Sequence, residues 1–292
     1  MFDPTAALNA VAAGVLLGGF YAAVALGIAI AFGMLDIPNL AHPAFVVVGA
    51  FSTWVLNTEL GIDPIIAGIL MTPIFFGLGM GLYRLYHVCF EQRGEAALQG
   101  LAFFFGILFI TEVALVLVAG ADYRSVDAPY IGASLRFLGI QLPGRMLVAC
   151  AVSMVMILGL QQYLSRTFIG RAIQAVSQDK LALRLMGVSP TKIKGLAFGI
   201  AIASASIAGS LLIIVEPVEP SIGRDFIGRA FAAVVIGGMG SFNGMLLASI
   251  FLGITESIVS DMWNPSWAPA IAFGFLLPTL ALRGGGLLGR KL

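Results

Sequence analysis

The sequence predicts an all-α polytopic membrane protein, and three observations carry that prediction. Of its 292 residues 59% are hydrophobic and only 11% charged, and the mean hydropathy of +1.00 exceeds what water-soluble domains reach. Several stretches, such as 8–34 and 145–165, carry one charge or none and are long enough to cross a bilayer as helices. Eleven of the sixteen basic residues fall in just three segments, 84–95, 165–195 and the stretch after 282, as the positive-inside rule expects of cytoplasmic loops. The expectation is a single domain over 1–292 with about eight transmembrane or re-entrant helices, two of them broken.

The first apolar run follows only MFDPTAA. With no basic n-region and too much length for a signal-peptide core, it reads as the first span, 7–33. Further spans are expected at 43–57, 63–86, 97–120, 145–164, 193–215, 230–258 and 267–282. Two are abnormal. Residues 43–57 as a helix reach only about 22 Å, short of the roughly 30 Å hydrocarbon core. The run 230–258 is interrupted by GGMGSFNG at 237–244.

Segments 121–144 and 216–229 then face outside. An odd number of crossings must separate 216–229 from the basic C-terminus, yet two apolar runs lie between them. The glycine-rich 230–258 is the one expected to be re-entrant or broken, since irregular backbone at membrane depth survives only inside protein or beside a wet cavity. The interruption at 32–51, FGMLDIPNLAHPAFVVVGAF, is its counterpart in the first half, and paired breaks point to a transport site.

Composition also excludes. A net charge of +1 leaves no basic face for nucleic acid. Cys89 and Cys150 have no metal-ligand or redox spacing. The chain has two histidines and lacks H-E-x-x-H, so neither a metal nor a catalytic site is expected.

The most polar stretch, GRAIQAVSQDKLALRLMGVSP at 170–190, is punctuated as two helices. Asp179 suits the N-cap of a helix over 180–186, Gly187 its left-handed C-terminal position, and Ser189 with Pro190 the start of the next helix. Leu181, Leu185 and Met186 share neighbouring faces of the short helix, while Lys180 and Arg184 stand four apart. A solvated basic loop explains the charges but not the caps or the apolar residues. A helix lying on the membrane and a helix docking onto a cytoplasmic protein both explain more, and docking is favoured.

The stretch GRAIQAVSQDKLALRLMGVSPTKIKGLAFGIAIASASIAGSL at 170–211 resembles the cytoplasmic coupling loop of branched-chain amino acid ABC transporter permeases, the LivH/LivM family. Residues 16–51 resemble the family's first span and Asn-x-Ala-His segment, 230–257 its Gly-Gly-x-Gly-Ser block, and LRGGGLLGRKL its C-terminal signature. The resemblance implies a fold like that of type II ABC importer permeases. It implies three kinds of protein partner besides the lipid bilayer: a second homologous permease subunit, two cytoplasmic ATP-binding subunits, and an extracytoplasmic substrate-binding protein. Residues Gly170, Arg171, Asp179, Leu181, Arg184, Leu185, Met186 and Gly187 become candidates for coupling to the ATPases. The chain itself lacks G-x-x-x-x-G-K-[ST], so ATP and magnesium are expected in the partners and no cofactor in this chain. The type of system resembled resides in a bacterial or archaeal inner membrane.

For the pathway, Asn39 and His42 sit between the helix breakers Pro38 and Pro43. Two readings stay open: they staple the broken backbone, or they meet solute. The family usually has glycine where Pro43 stands, which bears on local geometry and solute preference. Gly237, Gly238, Gly240, Ser241 and Asn243 form the second break, either for close helix packing or as a helix end offering free N–H groups to a polar solute. Glu112 and Glu256 are expected to be hydrogen-bonded structural acids, Glu256 close enough to a span end to reach water, since no cation lies in a neighbouring apolar stretch. The outer segment 121–145 reads either as a docking surface for a binding protein or as an ordinary loop. An ion-coupled secondary transporter or channel is the alternative function. It has no need of a capped cytoplasmic loop.

Overall fold

A computed structural model describes residues 4–93, 96–137 and 140–282. The basic C-terminal signature lies outside the described residues, as does the side chain of Lys180. Among the described residues seven helices are long and apolar enough to cross a membrane: α1 (Pro4–Ala31), α3 (Pro64–Cys89), α4 (Ala96–Ala119), α5 (Gly144–Arg166), α8 (Pro190–Val215), α10 (Phe242–Met262) and α11 (Ala268–Leu282), the last extended by a 3-10 turn at Pro265–Trp267. Two others complete the bundle, α2 (His42–Leu60) and α9 (Gly223–Gly237). Short helices α6 (Phe168–Val176) and α7 (Lys180–Leu185) stand outside it, and strands β1 (Ser134–Phe137) and β2 (Ile140–Pro143) form a small antiparallel hairpin in the outer segment. The hairpin and α6 are additions to the expected elements.

Helices α1 and α8 are the centre: 83% and 89% of their most apolar windows are buried, against 11% for α4. Small residues let the neighbours approach backbone to backbone. A Cβ at Gly18 would fall 2.4 Å from Ile250 Cα, and one at Gly14 would fall 2.5 Å from Ile254 Cα. These contacts, with Ser257 Oγ donating to the Ala10 carbonyl at 2.7 Å, show that α10 runs antiparallel to α1. On the other flank, a Cβ at Gly209 of α8 would lie 2.2 Å from the Val46 carbonyl oxygen of α2.

The two basic loops lie at one end. Lys194, in the first turns of α8, pairs with Glu91, which follows α3. By the positive-inside rule this end is cytoplasmic. The start of α1 is at the other end, where Gln141 N of β2 donates to Asn9 Oδ1 at 3.0 Å. The start of α1, whose orientation composition left open, is thereby at the end opposite the two basic loops.

The two abnormal spans resolve differently. α2 has 19 residues rather than 15, about 28 Å of helix, and Gly61 closes it in the left-handed region with N–H bonds back to its last turn. It starts at depth, however: a Cβ at Gly27 of α1 would touch both the His42 ring and the Ala201 carbonyl of α8. The expected run 230–258 is two helices. α9 runs inward and α10 outward, so 223–262 is a helical hairpin that returns to the side it left, and α11 supplies the odd crossing.

Candidate functional site

At the cytoplasmic end, the local geometry follows the sequence punctuation. Asp179 Oδ1 accepts from Leu181 N at 2.8 Å and Ala182 N at 3.0 Å, capping α7. The helix ends one residue earlier than expected, with Met186 as its C-cap. Gly187 follows at φ +77°, and the paired bonds Val188 N to Leu183 O and Gly187 N to Arg184 O close a Schellman motif. Ser189 stands at the N-cap position of α8, but its side chain makes no cap bond; Pro190 starts that helix unaided.

Leu183 anchors α7 to the body of the protein at 3% exposure, whereas Leu181, Leu185 and Met186 project at 66%, 81% and 68%. Arg184 is exposed on the same helix, and Arg171 is exposed on α6. Sequence reasoning missed α6, whose signal was a Thr167 cap: its Oγ1 accepts from Gly170 N at 3.0 Å. Gly170 is needed for packing, since a Cβ there would lie 2.4 Å from Leu164 Cα at the end of α5.

A polar cluster ties this loop to the bundle. Glu91 accepts from Lys194, His87 Nδ1 lies 2.7 Å from its Oε2, and the Tyr83 hydroxyl donates to it at 2.9 Å. Burial pushes the Glu91 carboxyl up, but Lys194, His87 and Tyr83 together outweigh burial and hold it below its ordinary 4.5. A folded carboxyl held below its unfolded value adds stability that is fully present above the ordinary value and is lost as pH falls through the lowered one. Acidification below 4.5 is therefore expected to lower the thermal midpoint of the purified protein. Glu91→Gln is expected to flatten that dependence; an unchanged pH profile would show that the cluster contributes nothing.

Within the membrane layer, the two breaks meet. A Cβ at Gly33, just past α1, would fall 2.8 Å from Gly240 N at the tip of the α9–α10 hairpin. Gly238 and Gly240 turn the chain at φ +101° and +81°, conformations that L side chains rarely adopt. Gly237 and Gly244 face each other across the tip, and Ser241 Oγ caps α10 by accepting from Gly244 N at 3.1 Å. Asn243 is exposed on the first turn of α10. Asn39 and His42 are both fully buried. Asn39 Oδ1 accepts from Ala41 N at 3.1 Å, a backbone staple across the break. Asn39 Nδ2 has no partner among the described residues, and the His42 nitrogens lack a well-formed bond there, the Val24 backbone being the polar group that faces the ring.

Both intramembrane acids are hydrogen-bonded, but to cations that the sequence reading did not place beside them. Each has an arginine partner from α9: Arg224 for Glu112, and Arg229 for Glu256. Both cations belong to a segment read as an outer loop, and α9 begins seven residues before the expected span. Glu256 also accepts from the Tyr21 hydroxyl at 2.7 Å and is only 2% exposed. Tyr21, Arg229 and Glu256 line an outer cavity of about 830 Å³. A second of about 410 Å³ shares Tyr21 and Arg229 and adds Arg145, Glu216 and Asp225. Burial pushes the Glu216 carboxyl up, with Asp225 reinforcing and Arg229 and Arg145 opposing. None of the pathway residues chosen from sequence lines either cavity.

Known proteins are similar to this chain over most of its length. A family model described as branched-chain amino acid transport system, permease component, matches residues 10–280. The high-affinity branched-chain amino acid transport system permease protein BraD of Pseudomonas aeruginosa is 26% identical over 294 residues, covering 95% of this chain and 94% of BraD. LivH of Escherichia coli, named for the same kind of system, is 26% identical with the same coverage. A probable branched-chain amino acid transport permease protein LivH of Methanocaldococcus jannaschii is 26% identical over 87% of this chain and 80% of its own. With seven membrane-length helices and a family match from the first span to the last, this chain belongs to the permease-component family of branched-chain amino acid transport systems.

Proposed function

We propose that this chain is the transmembrane permease subunit of an ATP-driven importer for branched-chain or other hydrophobic amino acids, or related small solutes such as urea or amides. It forms the translocation pathway by alternating access with a second homologous permease subunit, in a bacterial or archaeal inner membrane. Two cytoplasmic subunits bind ATP and magnesium and hydrolyse the nucleotide, and an extracytoplasmic binding protein delivers the solute. The chain itself catalyses no reaction.

The observation that carries this reading is the α7 cap structure. A six-residue helix is too short to persist alone, yet both its ends are closed and Leu181, Leu185 and Met186 are held out on it beside Arg184. That is a knob for a groove in another protein. Gly170, Asp179 and Gly187 set its placement and Arg171 adds an exposed cation on α6, so nucleotide-driven movement of the partner is passed through α6 and α7 to α5 and α8. In the membrane layer, the meeting of the two breaks supports a hinge at Asn39, His42, Gly237, Gly238, Gly240, Ser241 and Asn243, because short broken helices are the elements that re-orient around a transport site.

The test is Leu185→Asp with Met186→Asp. Both side chains are exposed, so the bundle is expected to assemble normally. Co-purification of ATPase subunits is expected to fall at least tenfold, and ATP-driven uptake with it. Normal uptake by the double variant, or solute transport by the chain alone in liposomes without ATP, would overturn the reading and favour an ion-coupled carrier.

A further inference from the structure

Arg224 donates from Nε and Nη2 to the two carboxylate oxygens of Glu112 at 2.8 and 2.7 Å, a bidentate geometry. The arginine side chain is nonetheless 50% exposed, and that of Glu112 13%. Depth makes this exposure informative. Glu112 precedes the end of α4 at Ala119 by seven residues, about 10 Å of helix. Gly223, beside Arg224, abuts Pro43 and Val47, and α2 continues thirteen residues beyond Val47 to Leu60, about 20 Å more. The guanidinium therefore stands inside the apolar layer. A charged group there faces a polar partner or water, not acyl chains. Nor does it snorkel to the interface, because both bonds hold it at the depth of Glu112.

The surroundings narrow what it meets. The guanidinium lies 4.9 Å from the centre of the Phe109 ring, and Phe105 packs edge-on against Phe109 at 4.8 Å. Both rings are exposed. The pair commits Nε and Nη2 of Arg224, while Nη1 makes no bond among the described residues. Each Glu112 oxygen retains acceptor capacity. A cation, an anion and an aromatic apolar surface are thus presented side by side.

We infer that this patch is a recognition site for a zwitterionic solute with an apolar side chain, in the wall of the aqueous route through the membrane. The solute carboxylate meets Nη1 of Arg224, its ammonium meets Glu112, and its side chain lies over Phe105 and Phe109. The ion pair stays intact, since the solute uses only the valences the pair leaves open. The inference rests on the importer reading for the energy source and direction of transport, and adds where on this chain the solute is read.

The experiment uses the complete transport complex in liposomes with leucine as the probe. Phe109→Cys, in a background where Cys89 and Cys150 are alanine, is expected to react with a membrane-impermeant methanethiosulfonate reagent, and leucine to slow the reaction at least fivefold. Arg224→Gln and Glu112→Gln are each expected to cut leucine uptake at least tenfold with assembly unchanged. The charge swap Glu112→Arg with Arg224→Glu keeps a pair but inverts its order, and is expected not to restore uptake. An unreactive cysteine, or full uptake by the swap, would overturn the site and leave the importer reading standing. Leucine protection of the cysteine without any ATP-driven uptake would do the reverse.

Discussion

Gly244→Val is expected to leave almost no folded protein in the membrane. A Cβ at Gly244 would lie 2.0 Å from the carbonyl oxygen of Gly237, and one at Gly237 would lie 2.4 Å from the carbonyl carbon of Gly244. Overpacking a core costs about 1–3 kcal/mol when side chains can give way. Here the obstacle is main chain on both sides, so the hairpin tip has to open. Opening it separates α9 from α10 and draws Gly240 away from Gly33 at the end of α1. Gly77→Val in α3 is the control, because nothing lies within 4 Å of the position where its Cβ would be. The measurement is the yield of monodisperse protein after mild detergent extraction. Comparable yields for the two variants would show that the hairpin tip is not closely packed.

Arg229→Met is expected to be the most damaging single change to a charged residue. Glu256 is 2% exposed and accepts from Arg229 Nε at 3.1 and 3.2 Å as well as from Tyr21. Removing the cation strands a carboxylate, and breaking such a buried pair costs about 3–5 kcal/mol. The thermal midpoint in detergent is expected to fall by on the order of 10 °C. The triple change Tyr21→Phe, Arg229→Met, Glu256→Leu removes every member of the network and is expected to recover most of that loss, because no buried polar group is left without its partner. If the triple variant is as unstable as the single one, the loss comes from side-chain packing around Arg229 and not from the stranded charge.

These two networks were legible in the sequence to different degrees. GGMGSFNG announced a break, since glycine punctuates any helical pattern, and Asp179, Gly187 and Pro190 announced the ends of helices through their local chemistry. Such signals act over a few residues. Arg229 and Glu256 are 27 residues apart, and Tyr21 is 235 from Glu256, so no local pattern joins them. Arg224 and Arg229 looked like loop cations because charge was taken to mark the boundary of a span. In the structure their charge is satisfied by acids at the same depth, and the helix extends back past them.

The sequence by itself determined that this is an all-α membrane protein, which of its loops are basic, where its helices break and how the short helix α7 is capped. Those properties depend on transfer of side chains into lipid and on hydrogen bonds spanning a few residues, both of which are sums over local composition. Only the tertiary structure decided that α1 starts at the end opposite the two basic loops, that the two breaks touch, and that both intramembrane acids answer to arginines of α9. Those properties depend on which faces of distant helices come together, and in a chain rich in alanine and glycine many faces look alike until backbones close to within contact distance.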